Sequence, residues 1–297
     1  MAAGDRVQAT TRSETGWQVV LTKAPRIFGK IVTYVILVIG AAIFALPFLW
    51  MVSTSFKPEY LVYQMPIVWI PPELDFSHFV SGWKILPFLT FYKNTIFLTV
   101  VNIIGLVLSS SLVAFGFARI RFIGRDWIFL ALLATMMLPG QVTLIPMYVF
   151  WAKLGAVNSF WPIIVPQWLT NAYNVFLLRQ FFMTISPELD DAARIDGAGW
   201  SKIYSRIVMP QAKPALGVVA IQAFAWNWNS FMGPLIYLNE PKKFTIALGL
   251  NLFRTQQSEN MGETMAMSLV ALVPVLILFF VAQRYFIQGI VISGVKG

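Results

Sequence analysis

The chain of 297 residues contains no cysteine and a single histidine, His78. The first absence excludes disulfides, thiolate nucleophiles and Cys-ligated metals. The second leaves a His-based metal centre or a Ser-His-Asp triad with almost nothing to build on. Charge is also scarce, at 12% of residues against about 25% in soluble domains. With 58% hydrophobic residues and a mean hydropathy of +0.69, an ordinary soluble enzyme is excluded. The phosphate cradle G-x-x-x-x-G-K-[ST] is missing, so the chain has no evident means of hydrolysing ATP itself. No internal repeat and no low-complexity segment is visible.

What the chain does have is long apolar runs. Six of them, residues 31–52, 95–117, 127–150, 160–178, 215–237 and 265–282, are long enough to cross a bilayer. Backbone in lipid must satisfy its own hydrogen bonds, so the runs predict six helices and an all-α polytopic membrane protein. The fourth run is interrupted by Gln167, Asn171 and Asn174. Nothing like a small-residue cleavage site follows the first run, which therefore reads as a retained helix.

The net charge of +9 fits this picture without nucleic acid, because membrane proteins hold Lys and Arg in cytoplasmic loops. With the N-terminus inside, segments 1–30, 118–126, 179–214 and 283–297 carry 15 basic residues. The opposite segments, 53–94, 151–159 and 238–264, carry 7. Both termini are thereby expected in the cytoplasm, with the permeating domain at 31–287 and a tail at 288–297. His78 falls in the outer segment 53–94 and reads as an ordinary loop residue. Trp69 and Trp83 of that segment suit the membrane interface.

None of the six runs contains Asp, Glu, Lys, Arg or His. Proton-driven carriers usually need such groups at membrane depth, although sodium coupling through carbonyls and hydroxyls stays open. The runs hold uncharged amides instead: Gln141, Asn171, Asn174, Gln222, Asn227 and Asn229. These suit a polar, uncharged solute such as a sugar on a translocation pathway. The same amides serve equally well as hydrogen bonds between helices. Pro139-Gly140 and Pro146 predict a kinked third helix.

The loop 186–210 reads as helix, turn, helix. Ser186 is placed to cap the first helix and Pro187 to occupy its first position. Glu188 sits where the helix dipole favours acid, and Asp190 and Arg194 are spaced as an i,i+4 pair. Gly197 suits a left-handed stop, and Asp196 to Gly199 a tight turn. The second helix is expected from Trp200 to Val208, ending before Pro210. Ala192 and Ala193 leave one side small, so another surface can come close. The result is a rigid, acidic knob, which reads as a docking element. An interfacial helix on anionic headgroups would prefer basic faces.

The loop resembles the EAA motif of importer-type ABC transporter permeases, E-A-A-x3-G-x9-I-x-L-P. Here it reads Asp191, Ala192, Ala193, Gly197, Ile207, Met209 and Pro210, with every spacing kept. Asp191 stands for Glu and Met209 for Leu. Stretches 114–124 (A-F-G-F-A-R-I-R-F-I-G), 137–141, 144–146, 176–180, 194–197, 226–231 with Pro234, and 294–297 are similar to the carbohydrate-uptake branch. Within it the chain resembles the six-span subunit of the maltose-type importer.

The resemblance implies a permease without covalent chemistry or bound cofactor of its own, and without a metal site. Its implied partners are a second homologous permease, two ATPase subunits carrying ATP and Mg, an extracytoplasmic solute-binding protein, and a di- or oligosaccharide as solute. It implies that Glu188, Asp190, Asp191, Ala192, Ala193, Arg194, Asp196, Gly197, Gly199, Ile207 and Pro210 dock the knob on the ATPase. Residues 293–297 would reach between the ATPase subunits, and the 238–262 loop would probe the binding protein. A glycerol-3-phosphate importer is the alternative within this class. An autonomous secondary carrier is the alternative outside it, and a membrane-embedded enzyme is disfavoured by the missing Cys and ionisable groups.

Overall fold

A computed structural model describes the backbone of residues 16–256 and 260–294, and the side chains of 29–255 and 260–283. All regular structure among the described residues is helical. The described residues form two compact units, divided between Ser53 and Thr54. The first holds nearly all of α1 (Gly16–Ser55), whose part Gly29–Ser55 is apolar and long enough to cross a membrane. Side chains such as Tyr34, Val38 and Phe44 are exposed along it, as lipid-facing ones are.

The second unit begins with α2 (Glu59–Val62), α3 (Ser77–Ile85) and α4 (Phe88–Arg119). Then come α5 (Arg125–Ala134), α6 (Gly140–Lys153), α7 (Trp161–Trp168), α8 (Ala172–Thr184) and α9 (Glu188–Ile195). A composite element follows: α10 (Trp200–Lys202), a π-helical turn (Ile203–Val208) and α11 (Met209–Gln211). The chain closes with α12 (Lys213–Trp228), α13 (Met232–Tyr237), α14 (Ile246–Gln256) and α15 (Met261–Gly294).

The first, second and sixth apolar runs are single helices of crossing length, Gly29–Ser55, Phe88–Arg119 and Met261–Gln283. The third is a pair, Arg125–Met137 and Gly140–Lys153, bent by 96°. The bend follows from Pro139, which forces Leu138 into extended backbone and has no N–H to donate. The fourth run is not one helix. It breaks between α7 and α8, where Thr170 turns at φ +84° and Asn171 is extended. The fifth breaks after Trp228, and the amides of Asn227 and Asn229 bond back to the carbonyls of Ala223 and Ala225. Its helix α12 is joined to the preceding Trp200–Gln211 segment at 77°. By length and composition the described residues thus offer three straight crossings, or five with the bent pairs.

The long helix α4 is the hub of the second unit and packs on α8, α12, α7 and α14. Its contact with α7 requires glycine at 105, because a Cβ there would lie 2.3 Å from the Trp168 ring. Two cores form on α4. One, near its C-terminus, buries Ala114, Phe115, Phe117, Val175, Leu178, Phe182, Ile203, Val208 and Val219. The other, near its N-terminus, buries Phe88, Phe91, Trp228, Ile246, Phe253 and Met267. His78 is not a loop residue: it lies on α3, buried, with Nε2 2.8 Å from the Lys57 carbonyl oxygen.

Candidate functional site

The knob at 186–210 is assembled by its own caps. Ser186 Oγ accepts from Glu188 N at 3.3 Å, and the Pro187 carbonyl accepts from Asp190 N and Asp191 N. Three acids, Glu188, Asp190 and Asp191, occupy the first turn of α9, where the dipole favours them. The helix stops as Gly197 turns at φ +78°. Gly197 N donates to Arg194 O at 3.0 Å and Ala198 N to Ala193 O at 2.8 Å, which ties off the last carbonyls. Gly199 then starts the next helix, its carbonyl accepting from Lys202 N and Ile203 N.

The second helix does not end before Pro210. It widens into the π-turn Ile203–Val208 and runs on to Gln211. The wider turn takes up a proline that has no N–H to donate, and the bend falls instead at Ala212, ahead of Pro214. Ile203 and Val208 are fully buried in the core that also holds Phe115, and Ile207 packs against it. Tyr204 anchors the turn further, its hydroxyl 2.8 Å from Ser111 Oγ.

Around this frame the expected docking residues separate into two groups. Glu188, Asp191, Ala192, Arg194, Asp196, Gly197, Gly199 and Pro210 are exposed, as is Ile195 at 87%. Ala193 is half-buried. Asp190 is turned inward. Its Oδ2 lies 3.2 Å from Arg119 Nε at the end of α4, where the pair is held by charge, not by an aligned hydrogen bond. The expected Asp190–Arg194 pair is therefore replaced. Arg194 stacks instead over the Trp200 ring at 4.0 Å, because the guanidinium can cover an aromatic face while staying in solvent. Burial pushes the Asp190 carboxyl above its ordinary value; Arg119 opposes this, Asp191 adds to it and Arg194 opposes it. A cavity of about 630 Å³ opens between α9 and the segment after α4, lined by Arg119, Arg121, Arg125, Asp191 and Trp200 among others.

The six pathway amides do not converge. Asn171 caps α8, its Oδ1 accepting from Asn174 N at 3.3 Å, and Asn174 is buried. Asn227 Oδ1 accepts from Asn102 Nδ2 at 2.6 Å, a bond between α12 and α4. Gln141, Gln222 and Asn229 are exposed. Asn229 belongs to an open groove of about 460 Å³ shared with Trp228, Phe231, Asn251, Arg254 and Ser268. Aromatic faces beside amides and hydroxyls can hold a sugar ring by stacking and hydrogen bonding. Sequence reasoning missed Arg119, Asn102 and this groove. Arg119 lies in the A-F-G-F-A-R stretch already singled out, but its partner lies far along the chain. The tail 293–297 falls outside the described side chains, and 295–297 outside the described residues altogether.

Known proteins give the site a context. Residues 105–292 match the family described as binding-protein-dependent transport system inner membrane component. The chain is similar to the arabinooligosaccharides transport system permease protein AraQ of Halalkalibacterium halodurans. The two are 32% identical over 269 residues, covering 88% of this chain and 96% of the relative. It is also 30% identical over 287 residues to the maltodextrin transport system permease protein MdxG of Bacillus subtilis, covering 92% and 98%. Among solved structures it resembles a chain of a bacterial ABC transporter involved in the import of the acidic polysaccharide alginate. That match has a TM-score of 0.80 and 27% identity, and covers 89% of this chain and 98% of the other.

Proposed function

The chain belongs to the binding-protein-dependent transport system inner membrane components, and from that premise we propose how it works as the permease of a sugar-importing ABC transporter. The observation that carries the mechanism is the capped acidic knob held against the end of α4. Two partner ATPase subunits bind ATP with Mg and close; this chain binds neither and catalyses no covalent step. Asp191, exposed at the knob's first turn, pairs with a basic residue in a cleft of one ATPase subunit. Ala192 and Ala193 let that surface come close, while Gly197 fixes the turn. Ile207 and Pro210 link the knob to α12. Closure of the ATPases then rocks the bundle between inward-open and outward-open forms.

A second, homologous permease completes the pathway, and an external solute-binding protein delivers an oligosaccharide to it. The crossings are α1, α4, α5 with α6, α7 with α8, α12 with α13, and α15, which gives six. The excess of Lys and Arg in alternate segments puts both termini in the cytoplasm. Asn229 and its groove, with Gln141 and Gln222, supply uncharged contacts for sugar hydroxyls. The outer segment around α14 meets the binding protein.

The test is a pull-down of the tagged chain from gently solubilised membranes, with companions identified by mass spectrometry. Recovery of an ATPase and a second permease is expected; recovery of the chain alone overturns the reading. Asp191→Lys, which replaces attraction by repulsion at the cleft, is expected to weaken ATPase recovery without changing the amount of chain in the membrane.

A further inference from the structure

We propose that Arg119 is a positioning residue for transport: it ties the knob to α4 so that α9 and α4 move as one body. The role in transport rests on the reading of α9 as the docking element; the tie itself rests on geometry alone. Arg119 is the last residue of α4. Its side chain is 7% exposed and that of Asp190 is 9% exposed, so their 3.2 Å contact is shielded from solvent. The same guanidinium donates from Nη2 to the Ile185 carbonyl at 2.8 Å. One side chain thus grips both the lead-in to the knob and its first turn.

This grip is needed because of how the knob is attached. On one side α9 hangs from the extended residue Ile185, and on the other it ends at the left-handed Gly197. Two such joints in series make a hinge. The onward connection runs through the π-turn, which packs on α4 at Ser111 and Phe115, and on to α12. Arg119 adds a direct tie from α9 itself to the end of α4, which packs on α7, α8 and α12 together. A second brace lies at the same end: Arg179 of α8 donates from Nε to the Phe117 carbonyl at 3.3 Å and stacks over the Phe129 ring at 4.3 Å. The two adjacent acids of α9 therefore divide the work. Asp191 faces outward and receives the push, whereas Asp190 faces inward and passes it to the hub of the bundle.

The absence of cysteine makes the test direct. Leu112→Cys on α4 and Ile195→Cys on the knob, both exposed sites, take nitroxide labels. Pulsed electron–electron resonance then measures their separation in lipid nanodiscs. The samples are the chain alone and the assembly purified with its ATPase, the latter nucleotide-free and trapped with ATP and vanadate. The labelled parent is expected to give one narrow distance, the same in all three samples. Arg119→Met and Asp190→Asn should broaden it, and the charge swap Arg119→Asp with Asp190→Arg should narrow it again. Arg119→Lys, which keeps charge but loses the fork, should fall between; it also serves as the test if Arg119→Met does not yield a monodisperse sample. A parent distance that shifts on trapping overturns the proposal. So do single variants as narrow as the parent, or a swap that stays broad. Failure of the parent to recover an ATPase would sink the docking reading instead, while the chain-alone distances still decide whether Arg119 holds the knob.

Discussion

The two ends of α4 are held by different chemistry. At the Phe88 end the hold is rings and uncharged hydrogen bonds. Phe88 meets Phe91 and Phe253 with ring centroids 5.6 and 5.5 Å apart, and Tyr92 meets Trp228 at 5.9 Å. Thr95 Oγ accepts from Ile246 N at 2.8 Å, and Asn94 Nδ2 donates to the carbonyls of Lys242 and Phe244. The Tyr92 hydroxyl donates to the Val270 carbonyl. The Arg119 end has packed rings as well, Phe115 meeting Tyr204 at 5.3 Å, but there two guanidiniums also cross between elements. The contrast matters because close-packed rings lose their contact energy within a fraction of an ångström, whereas charge attraction falls slowly with distance. The Phe88 end is built to keep one arrangement. The Arg119 end adds to its packed core a charged hold that weakens only slowly with distance.

The sharpest way to break the comparison is to empty the ring core. Phe91→Ala should cost about 3 kcal/mol, since packing is lost even where lipid replaces water around the helix. The shift in thermal midpoint of the purified chain measures it. Gly249→Ala tests the same core from the other side, because its Cβ would lie 2.1 Å from Phe91 Cδ2. It should destabilise the parent and lose most of that effect in a Phe91→Ala background, where the ring is gone.

A smaller effect is expected between the two ends. Asn102→Ala removes the bond to Asn227, whose own Nδ2 keeps the Ala223 carbonyl at 2.8 Å. Interhelical hydrogen bonds in membranes average about 0.6 kcal/mol, so the midpoint should move only slightly. A drop as large as that of Phe91→Ala would show the middle of α4, not its ends, to be the fixed point.

The smallest effect distinguishes the two ends by sign. Asp190 is pushed up chiefly by burial, so the folded chain holds its proton to higher pH than the unfolded chain. Its stabilising contribution is complete below the ordinary Asp value and is lost as pH rises through the raised one. Glu240, beyond the opposite end, is held down by hydrogen bonds from Asn158 and Lys243. Its contribution is complete above the ordinary Glu value and is lost as pH falls through the lowered one. Thermal midpoints recorded against pH should therefore flatten on the rising side in Asp190→Asn and on the acid side in Glu240→Gln. The same slope in both variants would erase the distinction.

Most of the architecture was legible where one physical rule acts alone. Long apolar runs with no competing signal, such as 95–117, became single helices, and α4 simply extends to Phe88 and Arg119. Pro139 announced the bend in the third run. The fourth run breaks at Thr170 and Asn171, among the amides that interrupt it, whereas composition could not give the left-handed turn of Thr170 or show that Asn227 and Asn229 bond back to their own helix. In the knob, Ser186, Pro187 and Gly197 act on near neighbours and could be placed from spacing. Asp190 could not. Arg194 is its neighbour in sequence, but Arg119 is its neighbour in space, and only the packing of α9 on α4 brings it there.

The π-turn at Ile203–Val208 has one more consequence. Each residue in a helix advances the side chains by about 100°, so a wide turn sets the angular phase of everything that follows. Trp200 faces Phe115 before it and Tyr204 within it, and Asn227 meets Asn102 after it. Removing one residue from the wide turn would leave the length of this path almost unchanged. Because α12 leaves the Trp200–Gln211 segment at 77°, the removal would swing α12 about the axis of that segment and carry Asn227 away from α4. The turn therefore acts as a clocking element: it decides in which direction α12 leaves the segment before it, and the chain can be neither shortened nor lengthened there by a single residue without resetting that choice.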